Sequence, residues 1–279
     1  MERAIKDLCQ LTDADFLKEV SAGVSLIVES ANRLDVAAQK LSKSDDYHAA
    51  RILGNLAEEE AAKALILIDA IRCPSSKSAE RARTLDYFYS HVAKGIYAEV
   101  TGLSPADFAE IVQYIDRARV ECYLDGPTGA DWIFENRITQ HREDDLYVGY
   151  VREGNEEAER YWYQPVNDPI PPYWTPPAVR LVGALHQAGM TATKGLDAVA
   201  KIWRPVEIRP ETTKSELEEL NWHTLKTIES RGLLAVDDES GNLSIRNDWS
   251  FPLWPLCLRL KEVDRAKLRK IQENWSPDY

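Results

Sequence analysis

Between Asp13 and Leu41 apolar residues recur every three or four positions (Phe16, Val20, Val24, Ile27, Val28, Ala31, Leu34) with polar residues between them. That period predicts a long first helix with one apolar stripe, and Thr12 or Asp13 can cap its start. The stretch from Ser44 to Ile71 opens on a second capping group, Ser44-Asp45-Asp46, and stops at Cys73-Pro74, where proline ends helix propagation. This alanine-rich segment is the expected second helix. A third is expected from Ser78 to Val100, before Thr101-Gly102. A fourth starts with Pro105 in the first helical turn and runs to about Tyr123. A turn at residues 125–129 follows, then an amphipathic stretch over 131–145. Leu146 to Val151 is rich in aromatic and β-branched residues and reads as extended.

Six of the fourteen prolines fall between Pro165 and Pro177, a density that neither a helix nor a central strand accepts. The pattern therefore divides the chain into a helical bundle over 1–165, a Pro-rich linker over 166–177 and a smaller, mostly helical domain over 178–279. In the last part, helical patterns at 178–202 and 213–231 precede two short apolar runs, 233–236 and 243–246, around a turn at 238–242. Two helices and a hairpin make a winged-helix-like order. A final charged helix is expected from Leu258 to Glu273. The fold class is mainly α with a short β-hairpin.

Composition narrows the functions. The 279 residues carry 46 acidic and 34 basic side chains, a formal charge of -12, so a broad basic face for nucleic acid is excluded and any such contact must be local. A winged-helix reader would have only His223, Lys226 and Arg231 as nearby bases, a poor phosphate-binding face. Cys9, Cys73, Cys122 and Cys257 form no CxxC pair, so no zinc or redox motif is read and buried reduced thiols are expected. No Glu-x-x-His pair, glycine-rich phosphate loop or Gly-x-Ser-x-Gly elbow occurs. The expectation is a protein without metal or cofactor. With no apolar leader or membrane-length apolar run, a cytoplasmic location is expected.

Charge also interrupts the second helix. At ~100° per residue, Glu59 and Lys63 share a stripe with Ile52, Leu56, Ile66 and Ala70, and Glu60 lies beside it. Glu58 projects to the opposite side with Arg51, Asp69 and Arg72, where solvated charges belong. An acid on a packing face needs a partner, and the spacing allows a Glu59 to Lys63 ion pair. The group is either a buried clamp or the wall of a polar pocket. His91 and Lys94 follow one another by a turn on the third helix, beside Tyr87 and Phe88; His91 is either a core residue or faces the same pocket. Arg137 and His141 form a further i,i+4 pair, readable as a solvated helix end or as an anion site.

Ala57-x-Glu59-Glu60-x-x-Lys63-Ala64, Phe88-x-x-His91-x-x-Lys94, and Arg142-x-x-x-Leu146-Tyr147-Val148 continuing to Tyr161-Trp162 and Pro165 together resemble the AbiV family of abortive-infection proteins. Their bundle belongs to the HEPN superfamily. The resemblance covers about the first 165 residues. It implies an antiparallel helical bundle, a homodimer formed through it, and a role in halting phage multiplication.

Many HEPN proteins are metal-independent ribonucleases, in which the 2'-hydroxyl of RNA attacks its own phosphate. The resemblance makes His91, Arg137, His141 and Glu59 the candidate catalytic residues, with Lys63, Lys94, Arg142 and Tyr147 on the RNA or its phosphates. The superfamily's Arg-x(4-6)-His signature is one residue short between Arg137 and His141. It is met in length by Arg180 and His186, beyond the linker. Ala62 stands where glycine is expected. Two functions follow: an RNA-cleaving effector, or a non-catalytic sensor or scaffold that binds a phage or host protein.

Overall fold

The computed structural model describes residues 3–120, 136–152, 160–169, 172–234, 239–249, 251–262, 264, 266, 267 and 270. It is mainly helical. A 3-10 turn, Ile5–Gln10, leads into α1 (Asp13–Ser42), which returns antiparallel as α2 (Tyr47–Arg72) through a turn with Asp45 at φ 62°. The caps are those legible in the sequence: the Thr12 side chain accepts from Asp15 N, and Asp46 accepts from Ala49 N. Phe16, Val20, Val24, Val28 and Ala31 are buried against a run of fully enclosed alanines on α2 (Ala57, Ala61, Ala62, Ala64). Such small side chains let the two helix axes approach closely.

The third expected helix is two. α3 (Ser78–Asp86) passes through a 3-10 turn, Tyr87–Tyr89, and restarts as α4 (His91–Thr101). Three consecutive aromatics are poor helix formers and Ser90 is a better cap than interior residue; its backbone is extended and its side chain accepts from Ala93 N. The buried Tyr87 hydroxyl fastens the break by accepting from Leu258 N (3.0 Å) and donating to Leu256 O (3.2 Å).

α5 (Phe108–Ala118) is shorter than expected because Asp107, not Pro105, starts it, with the Asp107 carboxylate accepting from Glu110 N. The N–H groups of Phe108 and Ala109 donate to Thr212 O and Pro210 O. α6 (Arg137–Leu146) follows, then strands β1 (Gly149–Arg152) and β2 (Arg160–Tyr163), an antiparallel pair in the register Gly149↔Tyr163 to Arg152↔Arg160. The extended tendency read at Leu146–Val151 thus becomes half of a two-stranded ribbon. Cys122 and the turn expected at 125–129 lie outside the described residues.

The described part of the proline-rich segment is irregular and lies on the first hairpin. Arg51 donates to Val166 O and Asp168 O, and the Tyr173 hydroxyl donates to Asp35 Oδ1 at 2.6 Å. α7 (Pro177–Gln187) then packs on α1, α2 and α4. The continuous helix expected over 178–202 breaks at Gly189, whose φ of +73° favours glycine and whose missing Cβ leaves room for Leu233 O. α8 (Thr193–Trp203) resumes beyond it, and α9 (Lys214–Ser230) starts with a capping box between Thr213 and Glu216.

The winged-helix hairpin is a correction. Residues 239–248 form α10 (Glu239–Asp248), so the expected strand over 243–246 is helical. The reason lies in α9: the fully buried Asn221 amide donates to Ile245 O, Arg246 O and Trp249 O and so satisfies carbonyls at the end of α10. The helix expected from Leu258 is also absent over 258–262, where backbone N–H groups bond elsewhere, Leu258 to Tyr87 and Lys261 to Arg119 O. The end of that expected helix lies outside the described residues.

Asp69 and Arg72, expected among solvated charges, are buried at 2% and 3% exposure. Asp69 Oδ2 accepts from Tyr97 Oη (2.7 Å) and Leu253 N (2.8 Å), while the Arg72 guanidinium lies over the rings of Trp203 (3.9 Å) and Trp249 (4.8 Å). Burial pushes the Asp69 carboxyl up and pulls the Arg72 guanidinium down to about 10. The chain after α10 covers this side of α2, which no period within α2 reveals. Of the described cysteines only Cys73 is buried, its thiol pushed up to about 12 by burial foremost; Cys9 is half-buried and Cys257 exposed.

Candidate functional site in the cleft between α2, α4 and α6

α6 is held across the α2–α4 edge by its own first cap. The buried Asn136 amide donates to Ala118 O (2.8 Å) and Val120 O (2.9 Å), while its oxygen accepts from Ile138 N and Thr139 N. At the crossing, a Cβ on Gly95 would lie 2.2 Å from Ile138 Cγ2, so α6 can approach α4 this closely only at a glycine. The far end of α6 is tied to α2 by Asn55, which donates to Asp145 Oδ2 at 2.8 Å, and by His48 Nε2, 2.7 Å from Asp145 O. Between the three helices lies a cleft of about 230 Å³ walled by Asn55, Glu58 and Glu59 from α2, His91 and Glu99 from α4, and His141, Arg142 and Asp145 from α6.

Glu59 is its centre. Lys94 Nζ donates to Oε2 at 2.5 Å, Arg142 Nε donates to Oε1 at 2.9 Å, and His91 Nδ1 stands 3.1 Å from Oε2. Burial alone would push this carboxyl up; Lys94, by hydrogen bond and charge, and then His91 outweigh it and hold Glu59 below the ordinary carboxylate range. Glu99 accepts from Arg137 at 2.6 Å and from the Tyr114 hydroxyl. Glu58 behaves oppositely. Burial, followed by the neighbouring charges of Glu99 and Glu59, pushes its carboxyl up to about 7.

Glu59 and His91 therefore share one cleft, as the pocket reading of the sequence expects; His141 and Arg142, which that reading did not include, join them from α6, and Lys94 bonds to Glu59. Arg137 sits at the edge, bound to Glu99. Lys63 does not join them: it pairs with Glu60, three residues back, and lies 5.5 Å from the centre of the Phe88 ring. The expected Glu59 to Lys63 pair is replaced because Lys94 and Arg142 reach Glu59 from two other helices. Tyr147 is exposed just beyond α6. Arg180 and His186 share no site; Arg180 lines a groove between α7 and α10, and His186 Nδ1 is 2.7 Å from Thr191 Oγ1.

Sequence reasoning missed Glu58, Glu99, Asn55 and Asp145. One of them had a legible signal: His91, Gly95 and Glu99 repeat at i, i+4 and i+8 along one helix face. Glu58 had none, because its side of α2 is closed by α6, which is distant in sequence. Among the described residues no group of three or more His, Cys, Asp or Glu is arranged to hold a metal ion.

The AbiV family model of HEPN domains matches residues 19–167. The chain belongs to this family. No curated protein and no solved structure matches it. The AbiV span contains every residue that walls the cleft and ends before α7, so the cleft belongs wholly to the abortive-infection HEPN domain. No described helix is long and apolar enough to cross a membrane.

Proposed function

We propose that this protein is an anti-phage abortive-infection effector that cleaves RNA in the α2–α4–α6 cleft without a metal ion, as a homodimer in the cytoplasm. The observation that carries this reading is the convergence of two imidazoles, His91 and His141, with Arg142 around one cleft. In-line attack of a 2'-hydroxyl on the adjacent phosphate forms the O2'–P bond and breaks the P–O5' bond. It requires one group to take the hydroxyl proton, one to protonate the leaving oxygen and a cation for the phosphorane. An imidazole can serve at either proton step, and Arg142 reaches the cleft from the helix that carries His141. Incubation of the purified protein with total RNA in a chelator is expected to yield 2',3'-cyclic-phosphate ends. Alanine at His91 or His141 should lower the yield at least a hundredfold. Intact RNA with the active, toxic protein would overturn the reading.

One observation favours a second reading. The cations around the cleft are already engaged by carboxylates: Lys94 and Arg142 by Glu59, and Arg137 by Glu99. A phosphate must compete with these pairs. A bundle that is a non-catalytic sensor or scaffold, binding a phage or host protein, has no such competition. Recovery of a stoichiometric protein partner from infected cells, with RNA left uncut, distinguishes it.

A further inference from the structure

Four carboxylates wall the cleft, and three are engaged. Glu59 accepts from Lys94 and Arg142 and faces His91. Glu99 accepts from Arg137 and Tyr114. Asp145 accepts from Asn55 and lies 3.6 Å from Arg51 Nε. A carboxylate fastened by two or three charge-assisted bonds holds its charge but is a poor proton acceptor, because protonation must break those bonds. Glu58 stands apart: among the described residues no hydrogen bond or ion pair engages its carboxyl, although it is partly buried in the same wall.

We propose that Glu58 is the proton acceptor of this cleft, taking the 2'-hydroxyl proton as the O2'–P bond forms. The P–O5' bond then breaks, and an imidazolium of His91 or His141 gives its proton to the departing 5'-oxygen. Atoms and charge balance without a further reactant: Glu58 ends protonated, the imidazole neutral, and solvent restores both. The inference rests on the ribonuclease reading and adds to it a group outside the Arg–His signature.

The groups facing Glu58 set its behaviour. Glu59 on its own helix and Glu99 on α4 are fixed negative charges that favour its protonated form. Asp145, Arg142 and His141 from α6 and His91 from α4 line the same cleft, and the Tyr173 hydroxyl, from the segment before α7, lies within reach of the Glu58 charge. The outcome is a carboxyl pushed up to about 7 by burial and by Glu99 and Glu59, a value matched to proton exchange at neutral pH. Neither Glu59, held low by Lys94, nor the paired Asp145 can perform this task.

The test is the pH profile of total-RNA cleavage between pH 5.5 and 8.5 for the wild type, Glu58→Gln and Glu58→Asp, with cyclic-phosphate ends as readout. The wild-type rate should climb about tenfold per pH unit on the acid side and stop climbing near pH 7. Glu58→Gln should lose at least a hundredfold at pH 7 together with the climb. Glu58→Asp should recover part of the rate with its inflection moved to lower pH. Circular dichroism checks that each variant is folded. A Glu58→Gln protein that cuts within threefold of wild type with an unchanged profile overturns this assignment and leaves the ribonuclease reading intact. A wild type that forms no cyclic-phosphate ends at any pH overturns both.

Discussion

Lys94, only 4% exposed, donates to Glu59 at 2.5 Å across the α2–α4 contact. Removing one member of a buried ion pair leaves the other uncompensated. Lys94→Met should therefore cost on the order of 3 kcal/mol in urea unfolding. Glu59→Gln, which keeps a hydrogen-bond acceptor, should cost less. Equal stability of Lys94→Met and wild type would contradict this picture of the cleft floor.

Glu58 makes stability depend on pH in a direction opposite to that of a salt-bridged acid. Its folded carboxyl is raised to about 7 from an ordinary 4.5, so between those values the native state binds the extra proton. The associated stability is complete below about pH 4.5 and is lost as pH rises through about 7. Glu58→Gln removes this dependence. Its advantage over wild type should grow from pH 4.5 to 7, towards an order of 3 kcal/mol, and stay level above that. Urea midpoints at four pH values decide it, and a constant difference would be evidence against it.

Gly95 sits under Ile138. Alanine is the better helix former by about 1 kcal/mol, yet a methyl 2.2 Å from Ile138 Cγ2 must displace α6. The clash should dominate, with Gly95→Ala losing about 1–3 kcal/mol. The double variant Gly95→Ala, Ile138→Ala should let α6 pack against α4 again and regain part of the lost stability. Thermal melts of both variants, with the single Ile138→Ala as reference, isolate the coupling.

Asn221 joins α9 to the end of α10 through one buried amide. Asn221→Leu, similar in size but without donors, should strand the carbonyls of Ile245, Arg246 and Trp249 and cost about 2 kcal/mol or more. Hydrogen exchange should show the loss concentrated in residues 239–248, whereas uniform loosening would argue against a local cap.

Contacts within a few residues are legible in this sequence, and contacts across the chain are not. The spans of α1 and α2 follow from apolar spacing, from Thr12 and Asp46 at their starts and from Pro74 at the second end. The closeness of Glu59 and His91 is what charged residues on packing faces point to, although His91 stays about half exposed at 47%, and the AbiV resemblance rests on the same residues. The break at Tyr87–Tyr89 and the turn at Gly189 carry local signals, Ser90 as a cap and Gly189 itself, but each is also fastened by a residue far along the chain, Leu258 in one case and Leu233 in the other. The hairpin reading of 243–246 failed because Asn221 caps a helix there.

The amino-acid order alone determined that this is a mainly helical chain, where its first two helices lie, and that Glu59 interrupts the apolar stripe of the second. Those properties depend on periodicity and capping within a few residues of each other. Tertiary structure alone decided that Glu58 faces a cleft, that Lys94 rather than Lys63 holds Glu59, and that Asp69 and Arg72 are buried. A helix wheel finds the apolar side of one helix, but the polar sides are sorted by whichever later segment packs over them, as α6 covers Glu58 and the chain after α10 covers Asp69.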